Sequence, residues 1–240
     1  MIKYLSILFL KFFDFFHKKK IIKYLKSLEV KNFENFFDIG AHKGESIDLF
    51  CDNFNIKNIY SFEASLKNYN LLKNRIKKLK KKFSRSNIQI FNLAAGDINQ
   101  EKELNQLDES SSSTFVEINQ KSKYFKKKSS FLFKKNNYSQ KINTHQIRLD
   151  KFIIDNNVKI IDFLKLDTEG YEFYVLNGLG KYILNTRYIL FEHHYHNMLI
   201  KKYNFSDIHN LLKKNNFEKI FKAKMPFRKT FEYIYKNENL

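Results

Sequence analysis

The sequence has no tryptophan, one proline and one cysteine. A single cysteine, Cys51, permits no intrachain disulfide and fits a reducing compartment. Arginine is scarce although the formal net charge is +19; the excess is almost all lysine. Base readout usually enlists arginine. The lysines come with abundant Asn, Ile, Phe and Tyr, residues that share A/T-rich codons. Coding composition therefore accounts for the charge, and no nucleic-acid partner is expected. Also lacking is the run of roughly twenty apolar residues that spans a bilayer. The most apolar stretch, Tyr4 to Phe16, is interrupted by Lys11 and Asp14. His17-Lys18-Lys19-Lys20 follows it in place of a small-residue cleavage site, which argues against a signal peptide. The sequence also has no G-x-G-x-x-G, which counts against a dinucleotide site.

What is present is organised around Phe36-Phe37-Asp38-Ile39-Gly40-Ala41-His42-Lys43-Gly44. An apolar strand runs into a glycine-bearing turn and then a helix start. A second apolar run ends at Phe62-Glu63. Strand, glycine turn, helix, strand, acid is the layout of a nucleoside-binding βαβ unit, with the acid accepting hydrogen bonds from a ribose diol. An acid before the turn, at Asp38, would repel a pyrophosphate but suits the amino group of an amino acid. A ligand with both a ribose and an amino-acid tail is S-adenosylmethionine.

At 240 residues the chain is long enough for one α/β domain with a sizeable core and modest extensions. Residues 1–32 are expected to form an amphipathic helical extension and 33–240 the domain. The extension packs on the domain or on a second copy in a homodimer, or residues 1–20 lie on a membrane surface with lysines on anionic headgroups. The expected location is cytoplasmic, with peripheral contact at the inner membrane face as the sharper alternative. Strands are predicted at Phe36–Ile39, Ile59–Phe62, Ile88–Leu93, Ile160–Leu166 and Tyr188–Phe191. Helices are predicted at Leu66 to Lys82, with Leu71, Leu72, Ile76 and Leu79 on one face, and at Phe205 to Asn215, capped by Ser206 or Asp207. Residues 101–143 read as an insertion with short strands above the sheet's C-terminal edge. Phe217–Phe221 and Phe231–Tyr235 read as a closing antiparallel pair. The alternation gives an α/β, doubly wound, Rossmann-like and mostly parallel sheet, with ligands outside the strands' carboxyl ends.

Asp38 to Ser46, Ser61 to Ser65, Phe91 to Asp97, and above all Leu164-Lys165-Leu166-Asp167-Thr168-Glu169-Gly170-Tyr171-Glu172 resemble the FkbM family of S-adenosylmethionine-dependent methyltransferases. The resemblance covers about Phe36 to His194. It implies a class I methyltransferase fold and O-methylation of a hydroxyl on a sugar, surface glycan or natural product. The acceptor would be a small molecule, a glycan or a lipid-linked sugar. It implies cofactor contacts from Asp38, Gly40, Ala41, Gly44, Glu63, Ala64, Ala95 and Asp167. Asp97 would accept a hydrogen bond from the adenine amino group, or be a plain turn residue. Serines near Ser110–Thr114 would touch substrate, or form a flexible loop.

Asp167 and Glu169, directly after an apolar central strand, can orient or deprotonate a hydroxyl nucleophile. Glu169 could instead cap the helix that follows. Glu192, His193, His194 and His196 cluster at the same edge and can supply a general base. Alternation would put His194 and His196 on one face. No ligand pattern with specific spacing is present, so no metal is assigned. An NAD-dependent oxidoreductase on a similar sheet, or a basic RNA-binding protein or RNA methyltransferase, are the competing readings.

Overall fold

The computed structural model describes residues 2–107, 112–132 and 139–240. Side chains are described for fewer residues at the start of the chain. The first helix, α1 (Ile2–Ser27), is continuous. Then come β1 (Asn32–Ile39), α2 (Glu45–Cys51), β2 (Asn55–Phe62), α3 (Leu66–Lys82) and β3 (Asn87–Phe91). The middle of the chain supplies β4 (Ala94–Gly96), β5 (Gln100–Leu107), β6 (Glu117–Ile118), α4 (Lys123–Leu132) and β7 (Ser139–Arg148). After α5 (Leu149–Asp155) come β8 (Ile161–Leu166), α6 (Glu172–Gly178), β9 (Thr186–His194) and β10 (Leu199–Ile200). The chain closes with α7 (Phe205–Lys214), β11 (Phe217–Lys224) and β12 (Thr230–Asn237).

Seven strands form one sheet in the order β11-β12-β9-β8-β1-β2-β3. β1, β2, β3, β8 and β9 are parallel, and β12 runs antiparallel to both β9 and β11. The order reverses between β1 and β8, and a crevice opens at that switch point. Consecutive phenylalanines on β1 show the pleat. Phe36 is buried with α1, α2 and α3 on one face of the sheet, and Phe37 with α5, α6 and α7 on the other. β8 is buried along its whole length, as an apolar central strand requires.

α1 is seated by Ile21, Ile22 and Leu25, which are buried in the first of these layers. His17 pairs with Glu232, Asp14 with Arg228 at 2.8 Å, and the Tyr24 hydroxyl donates to the Ile220 carbonyl at 2.5 Å.

Three expectations need correction. The strands of the 101–143 insertion are longer than expected: β5 and β7 pair antiparallel over eight residues, and β4 joins β7 to complete a second, three-stranded sheet. Leu71 does not share the buried face of α3 with Leu72, Ile76 and Leu79; it is 41% exposed. The cap of α7 is Asn204, whose side chain accepts from Ser206 N while Asp207 reaches back to Asn204 N. Glu109, Ser110 and Ser111 lie outside the described residues.

Candidate active site

A cleft of about 2290 Å³ opens at the carboxyl ends of β1, β2 and β8. The turn after β1 forms its floor. Gly40 N and Ala41 N both donate to the Phe62 carbonyl, at 2.9 and 3.0 Å. Gly40 has φ +84°, and a Cβ there would lie 2.0 Å from the Asp167 carbonyl oxygen. Glycine is thus required by the close approach of two strand ends, before any ligand is considered. Gly44, at φ 80°, begins α2 in the left-handed region.

Glu63, at the end of β2, lines the cleft although it is only 7% exposed. Its Oε2 accepts from His42 N at 2.8 Å and its Oε1 from Ser65 N at 2.9 Å. Burial pushes its carboxyl up to about 7, against the pull of those N–H donors. Beside it, Ala64, Leu93, Ala94, Ala95 and Leu104 form an apolar slot.

Asp38 differs from expectation. It is fully buried and absent from the cleft wall, because Lys165, its neighbour across the β1–β8 register, stands over it. Lys165 Nζ donates to Asp38 Oδ1 at 3.1 Å and to Asp167 Oδ2 at 3.4 Å. Burial would lower the Lys165 pKa, but Asp38 and Asp167 outweigh it and raise it. Burial raises Asp38, with Lys165 opposing. Asp38 Oδ2 is a buried acceptor with no partner among the described residues. Lys165 and Asp167 line the cleft in place of Asp38. Sequence reasoning passed over Lys165; a lysine inside an otherwise apolar central strand was the available signal.

Beyond β8 the chain turns sharply. Glu169 has φ +50°, its carbonyl accepts from Thr114 Oγ1 at 2.6 Å, and its side chain faces His194. Glu169 Oε2 lies 3.1 Å from His194 Nε2. Burial would raise Glu169; His194 and Lys128 outweigh it and hold the carboxyl below its ordinary range. The helix-serving acid is Glu172 rather than Glu169: its Oε1 accepts from Thr168 N, Thr168 Oγ1 and Gly170 N. Tyr203 OH donates to the other Glu172 oxygen at 2.7 Å. Glu192 Oε1 is 3.7 Å from His194 Nε2. Burial first, then Asp167 and Glu169, raises Glu192 well above the usual carboxylate range.

The pleat separates the histidines. His194 and His196 line the cleft, 5.0 Å apart, and His196 stacks on Tyr124 of α4 at 3.9 Å. His193 lies on the opposite face of β9, packed against Phe205 and Tyr203 with Lys201 Nζ at 3.2 Å. Burial, and then Lys201, pushes its pKa down to about 3. The structure thus takes His193 away from the candidate site. Asp97 is not among the residues that line the cleft, and its carbonyl accepts from Arg148 Nη1 at 2.8 Å. Among the described residues, no group of three or more His, Cys, Asp or Glu side chains could hold a metal. No helix among them is long and apolar enough to cross a membrane.

A family model described as the methyltransferase FkbM domain matches residues 38–219. Among solved structures, methyltransferase FkbM from Methylobacillus flagellatus KT superposes with a TM-score of 0.57 at 15% identity. The match covers 85% of this chain and 43% of that one, so the chain spans less than half the length of that relative. Magnesium protoporphyrin IX methyltransferase from Synechocystis PCC 6803 with bound SAM gives 0.51 at 10% identity, covering 92% and 78%. The same enzyme with bound SAH gives 0.53 at 9% identity, covering 95% and 85%. At these identities the superpositions establish the fold: a Rossmann-like class I methyltransferase sheet. No curated protein matches the chain.

Proposed function

The chain belongs to the methyltransferase FkbM family, and on that premise we propose that it transfers a methyl group from S-adenosylmethionine to a hydroxyl oxygen of a sugar, glycan, lipid-linked sugar or natural product. The single observation that carries the choice of oxygen is the Glu169–His194 pair, 3.1 Å apart on the cleft wall.

The residues present fit the cofactor. Glu63 suits the ribose diol, and Ala64, Ala95 and Leu104 suit the flat adenine. Asp167, held by Lys165 and packed against the Gly40 turn, takes the amino group that the sequence assigned to Asp38. Acids dominate this side of the cleft, as a ligand with an ammonium and a sulfonium requires. When bound, the cofactor supplies a methyl group on a sulfonium, activated enough that no covalent enzyme intermediate is needed. The protein's own work is then positioning and proton handling. The Glu169–His194 pair on the cleft wall takes up the proton of the acceptor hydroxyl. Burial, with Asp167 and Glu169 beside it, raises the Glu192 carboxyl well above its usual range. The basic and aromatic far wall, with Tyr124 over His196, leaves room for a polar acceptor with flat faces.

Incubating the chain with isotopically labelled S-adenosylmethionine and fractionated cell-envelope glycans, followed by mass spectrometry, tests this. Label in an O-methyl group is the expected result. Label on nitrogen, or in RNA only, would overturn the acceptor class.

A further inference from the structure

The α1 helix presents two unlike faces. His17, Ile21, Ile22 and Leu25 fall on the face turned to the domain. On the opposite face, Phe12, Phe16, Lys19, Lys20 and Lys23 recur at helical spacing, and all five are exposed. Phe12 and Phe16 are 56% and 52% exposed, and their rings are 4.9 Å apart. The ridge continues onto the turn joining β11 and β12. There Phe227, 68% exposed, sits 5.3 Å from Phe9 and 5.0 Å from Phe13. Phe227 has φ +60°, a costly conformation for a bulky side chain. An aromatic ring held outward at such a cost, beside the exposed Phe9 and the half-buried Phe13 of another element, needs a function.

We propose that this edge, α1 together with the β11–β12 turn, docks on an anionic lipid bilayer. Aromatic rings would enter the headgroup region, with Lys19, Lys20 and Lys23 against the phosphates. Charge decides between occupants. A second copy would bring another chain of net charge +19 and the same lysines to the contact, whereas an anionic bilayer complements them. The apolar ridge supplies the second signal that lasting attachment needs beyond charge alone. The placement is independent of the methyl-transfer chemistry, but it has a bearing on it. Phe9, Phe12 and Phe13 also line the cleft, so a docked molecule holds its cleft mouth at the lipid surface.

The test is co-sedimentation of the full chain with vesicles of phosphatidylcholine alone and of phosphatidylglycerol. Partition into phosphatidylglycerol vesicles, falling steeply with added salt, is expected. The paired Phe12→Glu and Phe16→Glu substitutions should weaken it by about tenfold or more without changing the thermal midpoint. Lys19→Glu with Lys20→Glu, also outside the core, should weaken binding to the anionic vesicles in the same sense. No partition of the parent chain, or partition unchanged in both variants, overturns the proposal. So does light scattering that shows a dimer which the phenylalanine pair dissociates, with vesicles left unbound.

Discussion

Asp38 and Lys165 face each other across adjacent parallel strands, Oδ1 to Nζ at 3.1 Å, each less than a tenth exposed. The pair lies under the cleft, and Asp167 on the cleft side shares the same lysine. It holds the ends of β1 and β8 in register at the switch point. Removing one partner strands a buried charge, while removing both does not.

Lys165→Met should therefore cost about 3–5 kcal/mol of stability, and Asp38→Asn combined with Lys165→Met should recover much of it. Urea titrations of both variants check this. A cost below about 1 kcal/mol for the single change would mean that the pair is solvated or replaced.

Gly40→Ala places a methyl group 2.0 Å from the Asp167 carbonyl oxygen on a backbone at φ +84°. Left-handed strain costs about 1–2 kcal/mol by itself, and the clash adds to it. A lower thermal midpoint is expected, with cofactor binding lost as well. An unchanged midpoint would contradict the close approach of the two strand ends.

Glu63 sets a pH dependence. Its folded pKa of about 7 lies above its ordinary 4.5. Its stability contribution is therefore fully present below the unfolded pKa and is lost as pH rises through about 7. Binding has the opposite slope, because a ribose diol donates to the ionised form. Cofactor affinity should rise about tenfold from pH 6 to 8, and Glu63→Gln should flatten the profile. Calorimetry in buffers of different ionisation enthalpy should detect proton release on binding.

His194→Asn and Glu169→Gln should each lower turnover by about 100- to 10,000-fold while leaving cofactor affinity nearly unchanged. His193→Asn, altered on the far face of β9, should stay within about tenfold of the parent. If His193 and His194 variants lose activity equally, the pleat does not divide their roles.

Most of the sheet could be read from the chain because Phe36–Ile39, Ile59–Phe62 and Ile161–Leu166 are apolar runs, whose burial any such fold requires. The second sheet was not legible. Gln100–Leu107 carries charged and polar side chains on both faces, and its partner Ser139–Arg148 is similar, so neither shows a clean period-two pattern. Within the site, Glu63, Asp167, Glu169 and His194 were findable, since an acid or base at a strand's carboxyl end points to the crevice. Lys165 was not, because its importance comes from Asp38, 127 positions earlier in the chain. His193 illustrates the limit of reading a cluster. Adjacent histidines on a strand lie on opposite faces, and only one can reach the cleft.

The central claim is that this cleft binds S-adenosylmethionine through Glu63. Titration of the purified chain with S-adenosylmethionine by calorimetry tests it most directly, with Glu63→Ala as the control. Saturable binding to the parent chain and none to the variant is the predicted result. No binding by the parent, or undiminished affinity in the variant, would contradict it.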